Sequence, residues 1–323
     1  MDYYQQNLDL YYEKRAARAT GNKMGLGVLM VSIISMIAQT VFMILVRINP
    51  AILEAYQTDS VFQMLYSAAV TVPGFLLGGL VIVKLENRKT GEFILFKKPS
   101  AGSTGLLLMM GLGFCMVANL ATSVLSSVLT AIGFAPQMTD IEMPTDPFGI
   151  LIYYFGVAVL PAFVEEFLYR GAVFSAAKKF GTSAAIIVSS VTFALMHGNL
   201  VQIPFAFFVG LFLGFAVAET GSIWPAVLIH FCNNFISCTL QFLEPLTGTE
   251  MLNFIYLCLM AVLLALSLLG AYLYFKKRQN AAGYPPTQHV SVQKKLALNM
   301  LFSPVMIVFY VLTIINIAQQ QLL

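Results

Sequence analysis

MGLGVLMVSIISMIAQTVFMILV, residues 24–46, is a long run without a single charge, and it predicts an α-helix that crosses a membrane. A bilayer core takes about 20 apolar residues of helix. The whole chain has the same character: 59% of its 323 residues are hydrophobic, 10% are charged, and the mean hydropathy is +0.80. Soluble domains carry about 25% charged residues, so we expect most of this chain to lie in lipid. The small net charge of +3 gives no reason to expect a nucleic-acid partner.

Further apolar runs, bounded by charges, proline or glycine, predict an all-α polytopic transmembrane bundle of about 8–9 spans. The fifth run is short and is separated from the sixth only by His197-Gly198-Asn199, where a re-entrant turn is the alternative. The approximate runs are 24–46, 61–83, 104–128, 149–174, 182–198, 201–219, 223–241, 251–275 and 297–319.

The loops between these runs alternate in charge, and this alternation predicts an orientation. Cytoplasmic loops carry an excess of Lys and Arg. With a cytoplasmic N-terminus, strict alternation puts the basic clusters on the cytoplasmic side and the acidic loops on the other. We therefore expect an integral multi-pass protein of the plasma membrane. The basic residues are Lys14, Arg15, Arg18, Lys23, Lys84, Arg88, Lys89, Lys97, Lys98, Lys178, Lys179, Lys276, Lys277, Arg278, Lys294 and Lys295, and the acidic ones are Asp140, Glu142, Asp146, Glu244 and Glu250.

Three runs contain strongly polar side chains that do not belong in lipid. The segments are PAFVEEFLYRG at 161–171, FALMHGN at 193–199 and HFCNN at 230–234. Such groups cost several kcal/mol within a span unless they are paired or face a polar cavity, so they are candidates for function. Their occurrence together in neighbouring spans is more polarity than a passive bundle needs.

Helical spacing separates the two adjacent glutamates. Glu166 lies four residues before Arg170, so the two share a face and can neutralise each other within the helix. Glu165 is turned away by about 100° and is left unpaired. An unpaired carboxylate in a low-dielectric site suits the role of a proton acceptor, and Glu165 is the general-base candidate.

His230 and Asn234 are also four residues apart and are expected to project from one face, where they can donate to an oxyanion or orient a water molecule. Asn233 points elsewhere. Pro161 leaves the carbonyl of Val157 without its helical donor and is expected to kink the helix, which opens room for water.

Distances along the helices test whether these groups can meet. Glu165 lies about 20 Å from the basic end of its helix, and His230 and Asn234 lie about 10–20 Å from the basic end of theirs. A straight fifth span carries His197 about 25 Å from Lys179, so tilt or a re-entrant path must bring it back. Structural roles are expected for other residues: Phe193 in packing, Asn119 and Gln63 in interhelical contacts, Trp224 at the interface, and His289 in a solvated loop.

The three segments resemble a known family. EEFLYRG fits EExxxR, FALMH fits FxxxH and HFCNN fits HxxxN, in that order, within residues 150–240. This pattern is similar to that of the CAAX prenyl endopeptidase and bacteriocin-processing (CPBP) family of intramembrane proteases. The resemblance implies that Glu165, aided by His197, activates a water molecule that attacks a peptide bond, while His230 and Asn234 stabilise the oxyanion.

The resemblance also gives Glu166 and Arg170 a supporting role and leaves the metal requirement open. HExxH is absent, but His197, His230 and Glu165 are a possible His₂-carboxylate set for a divalent metal such as zinc. A glutamate-dependent site is favoured, and its need for a metal is left open.

The resemblance divides the chain into three parts. Residues 1–148 hold an N-terminal cytoplasmic segment and three transmembrane helices, 149–241 the catalytic core, and 242–323 two further helices, with linker-like sequence at 279–293. The expected partners are membrane lipid and a peptide or protein substrate, for which a lipid-modified CAAX tail and a bacteriocin-type peptide are both open. A non-catalytic immunity or scaffold protein of the same fold is the main alternative, and a proton-coupled carrier is disfavoured because the chain lacks internal repeats.

Overall fold

The computed structural model describes residues 3–133, 142–280 and 290–322, and these are almost entirely helical. Asp140, His289 and most of the expected linker lie outside the described residues. We number the helices α1 to α12. Their bounds are α1 Tyr3–Ile48, α2 Ala51–Thr58, α3 Ser60–Leu85, α4 Thr90–Phe93, α5 Ala101–Ala131, α6 Pro147–Lys178, α7 Thr182–Met196, α8 Gln202–Thr220, α9 Trp224–Thr247, α10 Thr249–Asn280, α11 Val290–Leu301 and α12 Pro304–Leu322.

The all-α polytopic bundle is confirmed, but the number of spans is smaller than the nine apolar runs suggest. Within the described part of the chain, seven helices are long and apolar enough to cross a membrane, and an eighth is counted if α11 and α12 form one span bent by 62°. The run at 182–198 forms only the 15-residue helix α7. At 1.5 Å per residue this helix is about 23 Å long, shorter than a bilayer core.

The basic loops meet at one end of the bundle, as the alternating charge pattern predicts. Glu86, at the end of α3, accepts from Lys23 of α1 at 3.1 Å and from Lys179, after α6, at 2.6 Å. At the same end, Lys277 of α10 donates to Ser103 of α5. Partial burial by itself raises the pKa of Glu86, but the hydrogen bonds from the two lysines outweigh it and hold the pKa below its usual value. We call this end the basic end; its assignment to the cytoplasm stays a prediction.

Helix α6 lies at the centre of the core. Its residues from Phe167 to Phe174 are all buried, and it contacts α3, α7 and α9. On one side of it, α1 packs closely on α3 because both carry glycine where they meet: a Cβ atom on Gly78 would overlap the carbonyl oxygen of Gly27. The polar segment of α6 is therefore held on all sides by other helices.

Two stretches of α6 are wound as π-helix, at Phe155–Val159 and Phe167–Val173. The seven residues between them, Leu160–Glu166, are α-helical and contain both glutamates. π-Helical turns leave backbone groups without their usual partners and are frequent at functional sites. The first stretch ends directly before Leu160-Pro161, so the chain accommodates the proline with a widened turn.

Candidate functional site

A cavity of about 540 Å³ brings together the candidate residues of the three polar segments. Glu165, His197, His230 and Asn234 all line it, together with residues of α5, α8 and α10. His197 reaches this cavity because α7 is short and ends at Met196, directly before it. The depth expected for His197 is therefore no obstacle to its meeting the other three.

Glu165 lies in the cavity with a free carboxylate. It is partly exposed and makes no hydrogen bond or ion pair with any residue that the structure describes. The adjacent Glu166 is fully buried and paired. The contrast between the two glutamates agrees with the helical spacing, and it leaves Glu165 able to accept a proton or to bind water.

Glu166 holds two partners on a single oxygen. Its Oε1 accepts from Arg170 Nη1 at 3.0 Å and from His230 Nδ1 at 3.0 Å, while Arg170 Nη2 donates to the carbonyl of Gly210 at 3.2 Å. Both Glu166 and Arg170 have 0% exposure. The Glu166–Arg170 pair is confirmed, and His230 joins it as a third member that the spacing within α6 does not predict. His230 lies 64 residues from Glu166, and no local pattern indicates that contact.

The ring of His197 is oriented by its own helix. Its Nδ1 lies 2.9 Å from the carbonyl oxygen of Phe193, so Nδ1 carries the proton and donates. The other ring nitrogen, Nε2, is then left with its lone pair as an acceptor. A neutral His197 in this tautomer can take a hydrogen bond from a water molecule in the cavity.

Phe193 joins the charged and polar groups of the site, a role beyond the packing expected for it. Its ring meets those of His197 and His230 edge to face, with centroids 4.9 Å and 5.9 Å away, and the Arg170 guanidinium carbon lies 4.2 Å above it. An aromatic ring in these positions fixes both imidazoles and binds the cation by its π-face.

Asn234 binds the carbonyl that Pro161 deprives of its donor. Its Nδ2 donates to Val157 O at 3.1 Å, and its Oδ1 accepts from Asn233 Nδ2 at 3.2 Å. The expectation that Asn233 points elsewhere is wrong, since both asparagines line the cavity. Residues on two adjacent faces of α9 therefore line the cavity.

Asn119 is a second residue with a position beyond the interhelical contact expected for it. It lines the same cavity from α5, next to Thr122 and Ser123. Gln63, by contrast, donates to the backbone of Tyr56 and is not among the lining residues. The polar stretch of α5 has no sequence signal that distinguishes it from an ordinary interhelical contact.

The candidate metal set does not fit a metal in this arrangement. Among the described residues, no three His, Cys, Asp or Glu side chains lie together in a way that could hold an ion. We therefore derive no step through a metal.

Comparison with known proteins agrees with the motifs. Residues 147–236 match the type II CAAX prenyl endopeptidase Rce1-like family. The chain is also 32% identical over 160 residues to the membrane-embedded CAAX protease MroQ of Staphylococcus aureus (strain USA300), a match that covers 45% of this chain and 63% of that relative. No solved structure matches the chain significantly. The matched range contains all three motifs, so residues 147–236 are similar to the Rce1-like CAAX prenyl endopeptidases in the same segments that carry the motif resemblance.

Proposed function

We propose that the protein is an intramembrane endopeptidase that hydrolyses a peptide bond with a water molecule activated by Glu165. The observation that carries this proposal is the unpaired carboxylate of Glu165 in a cavity that also contains His197, His230 and Asn234. A carboxylate, an imidazole acceptor and two possible oxyanion donors are the groups that peptide hydrolysis needs.

In the proposed reaction, a water molecule lies between Glu165 and Nε2 of His197. Glu165 takes one proton from the water molecule while the water oxygen forms a bond to the peptide carbonyl carbon. The carbon–nitrogen bond then breaks, and Glu165 passes that proton to the departing amine nitrogen. The other water proton stays with the new acid and is lost as the carboxylate forms.

His230 and Asn234 are proposed to stabilise the oxyanion. One N–H of the Asn234 amide is used by Val157, and the second is available. Nδ1 of His230 donates to Glu166, so His230 can donate to the oxyanion through Nε2 only when its ring carries two protons. Arg170 and Phe193 act by positioning Glu166 and the two imidazoles.

The proposed substrate is a peptide or protein segment that enters the cavity in an extended form. Beside its polar groups, the cavity is lined by aliphatic and aromatic side chains such as Val201, Phe205 and Leu240. Such a lining suits apolar residues on either side of the cleaved bond. The similarity to a protein named as a CAAX protease supports a lipid-modified C-terminal tail as one candidate, and a short peptide with a leader segment is the other.

The test is a comparison of protein termini in cells that express the wild-type protein or Glu165→Gln, which keeps the shape of the side chain and removes its basicity. Removing a general base lowers turnover by about 10²–10⁴-fold, so neo-termini made by the enzyme disappear from the Glu165→Gln sample. Glu250→Gln, an exposed change at the start of α10, is the matched control and keeps them. If both variants yield the same termini as wild type at equal protein levels, the proteolytic function is refuted. That result would favour the non-catalytic immunity or scaffold protein.

A further inference from the structure

A second cavity, of about 220 Å³, lies on the other side of Glu165, between α3 and α6. It is lined by one stretch of each helix, Met64 to Phe75 and Gly156 to Glu165. Glu165 is the residue that lines both cavities. We propose that this second cavity is a water-filled compartment that supplies the hydrolytic water to Glu165 from the side opposite the peptide.

The polar groups of this cavity favour water over a lipid chain as its occupant. The hydroxyl of Ser67 has no partner among the described residues, and Thr71 uses its proton on the Ser67 carbonyl at 2.8 Å, which leaves its oxygen lone pairs open. The Ser67 hydroxyl is therefore unsatisfied unless water fills the space, and the same water can bind the Thr71 oxygen and the Glu165 carboxylate. Unsatisfied polar groups in a membrane interior cost several kcal/mol each, and an acyl chain would satisfy none of them.

The volume is sufficient for several water molecules. A single buried water needs about 10–15 Å³ of space accessible to its centre. The cavity exceeds this by about an order of magnitude. Polar partners and room are the two conditions for a hydrated cavity, and both are met here.

The lining residues of this cavity lie at different distances from the basic end of the bundle. Thr71 lies about 20 Å from Lys84, and Glu165 lies about 20 Å from Lys178, so the two reach the same depth from the basic end. Met64 and Gly156, the lining residues farthest from the basic end, lie about 30 Å from it, and Phe75, the nearest, lies about 14 Å from it. Most of the compartment therefore extends from Glu165 away from the basic end.

This arrangement matters for hydrolysis, and in that respect it rests on the proposed protease function. Each turnover consumes one water molecule, while a bound apolar peptide displaces water from the larger cavity. A separate compartment on the far side of the same carboxylate allows replacement of that water with the peptide still in place. Ser67 and Thr71 are positioning residues in this scheme, since they hold water and do not contact the peptide.

Hydration is tested by thiol labelling, a measurement independent of protease activity. In a variant whose four native cysteines are replaced by alanine, Ser67→Cys and Thr71→Cys are treated with a charged methanethiosulfonate reagent. Only a hydrated thiol ionises readily, so we expect both to react at least about tenfold faster than Leu65→Cys, whose side chain is 57% exposed on the lipid-facing side of the same helix. Equal rates at the three positions would overturn the proposal. If the cysteine-free protein does not accumulate, the substitutions are made in the native background and the labelled residue is identified by peptide mass.

The role in catalysis is tested by filling the cavity. Ala68 lines it, whereas the adjacent Ala69 is exposed to lipid. We expect Ala68→Phe to lower kcat by about tenfold or more with KM unchanged, and Ala69→Phe to leave both near wild type. Unchanged kcat in Ala68→Phe would refute the water-supply role. Fast labelling in a protein without protease activity would instead refute the proposed function while the hydrated compartment stands.

Discussion

Removal of Arg170 is expected to destabilise the protein strongly, because this residue compensates a fully buried charge. In Arg170→Met the Glu166 carboxylate, at 0% exposure, keeps only His230 as a partner. Breaking a buried ion pair from one side costs about 3–5 kcal/mol. The carbonyl of Gly210 also loses its donor, which adds about 1 kcal/mol. The ratio of folded to unfolded protein at a fixed denaturant concentration should fall by about three to four orders of magnitude.

The measurement is unfolding in mixed detergent micelles, followed by the fluorescence of Trp224, the single tryptophan of the chain. The matched control is Arg278→Met. Arg278 also pairs with a glutamate, Glu219, at 3.1 Å, but the two side chains are 40% and 26% exposed. An exposed pair contributes about 0–1 kcal/mol, so the same substitution should change stability little there.

The double variant Glu166→Gln/Arg170→Met separates the cost of a lone buried charge from the loss of packing. With both charges removed, we expect recovery of about 2–3 kcal/mol relative to Arg170→Met alone. Two results would refute the reasoning: an Arg170→Met penalty no larger than that of Arg278→Met, or a double variant as unstable as the sum of the single ones.

Further predictions concern the basic end, the helix packing and the widened turn of α6. Because the pKa of Glu86 is lowered in the folded state, its stabilisation is fully present above about pH 4.3 and is lost as the pH falls through the lowered pKa. Glu86→Gln should therefore lower Tm at pH 7, and its difference from wild type should shrink as the pH falls below about 4.3. Gly78→Ala should cost about 1–3 kcal/mol in the same unfolding assay, because its Cβ would overlap the backbone of Gly27. Asn234→Ala leaves the carbonyl of Val157 without a donor and should cost about 1–3 kcal/mol, while Asn234→Asp, which also lacks the amide donor, should not restore stability.

The fold was largely predictable because length and hydropathy alone determine which helices can cross a bilayer. The prediction fails where geometry depends on packing. The run at 182–198 is apolar throughout, yet its helix ends at Met196 and the chain turns inside the bundle. The last run is interrupted at Phe302–Ser303, where the helix bends by 62°. Pro304 is the one feature of the sequence there that indicates a bend.

The candidate site was predictable to the extent that its contacts are local. The Glu166–Arg170 pair follows from a spacing of four residues. The His230–Glu166 contact joins two helices distant in the sequence, so only the packing of α9 on α6 reveals it. Phe193 has no polar group to draw attention to it, and its position against both imidazoles and a guanidinium depends on three helices at once.

The shortness of α7 links the site to the lipid around it. At about 23 Å, this helix falls about 7 Å short of a 30 Å hydrocarbon layer, so the turn that carries His197 lies below the far boundary unless the layer thins beside it. Hydrophobic mismatch of this kind costs a fraction of a kcal/mol per Å and grows with acyl-chain length. The lipids of the host membrane thereby act on His197 without touching it: longer chains oppose water reaching the turn, and shorter ones favour it.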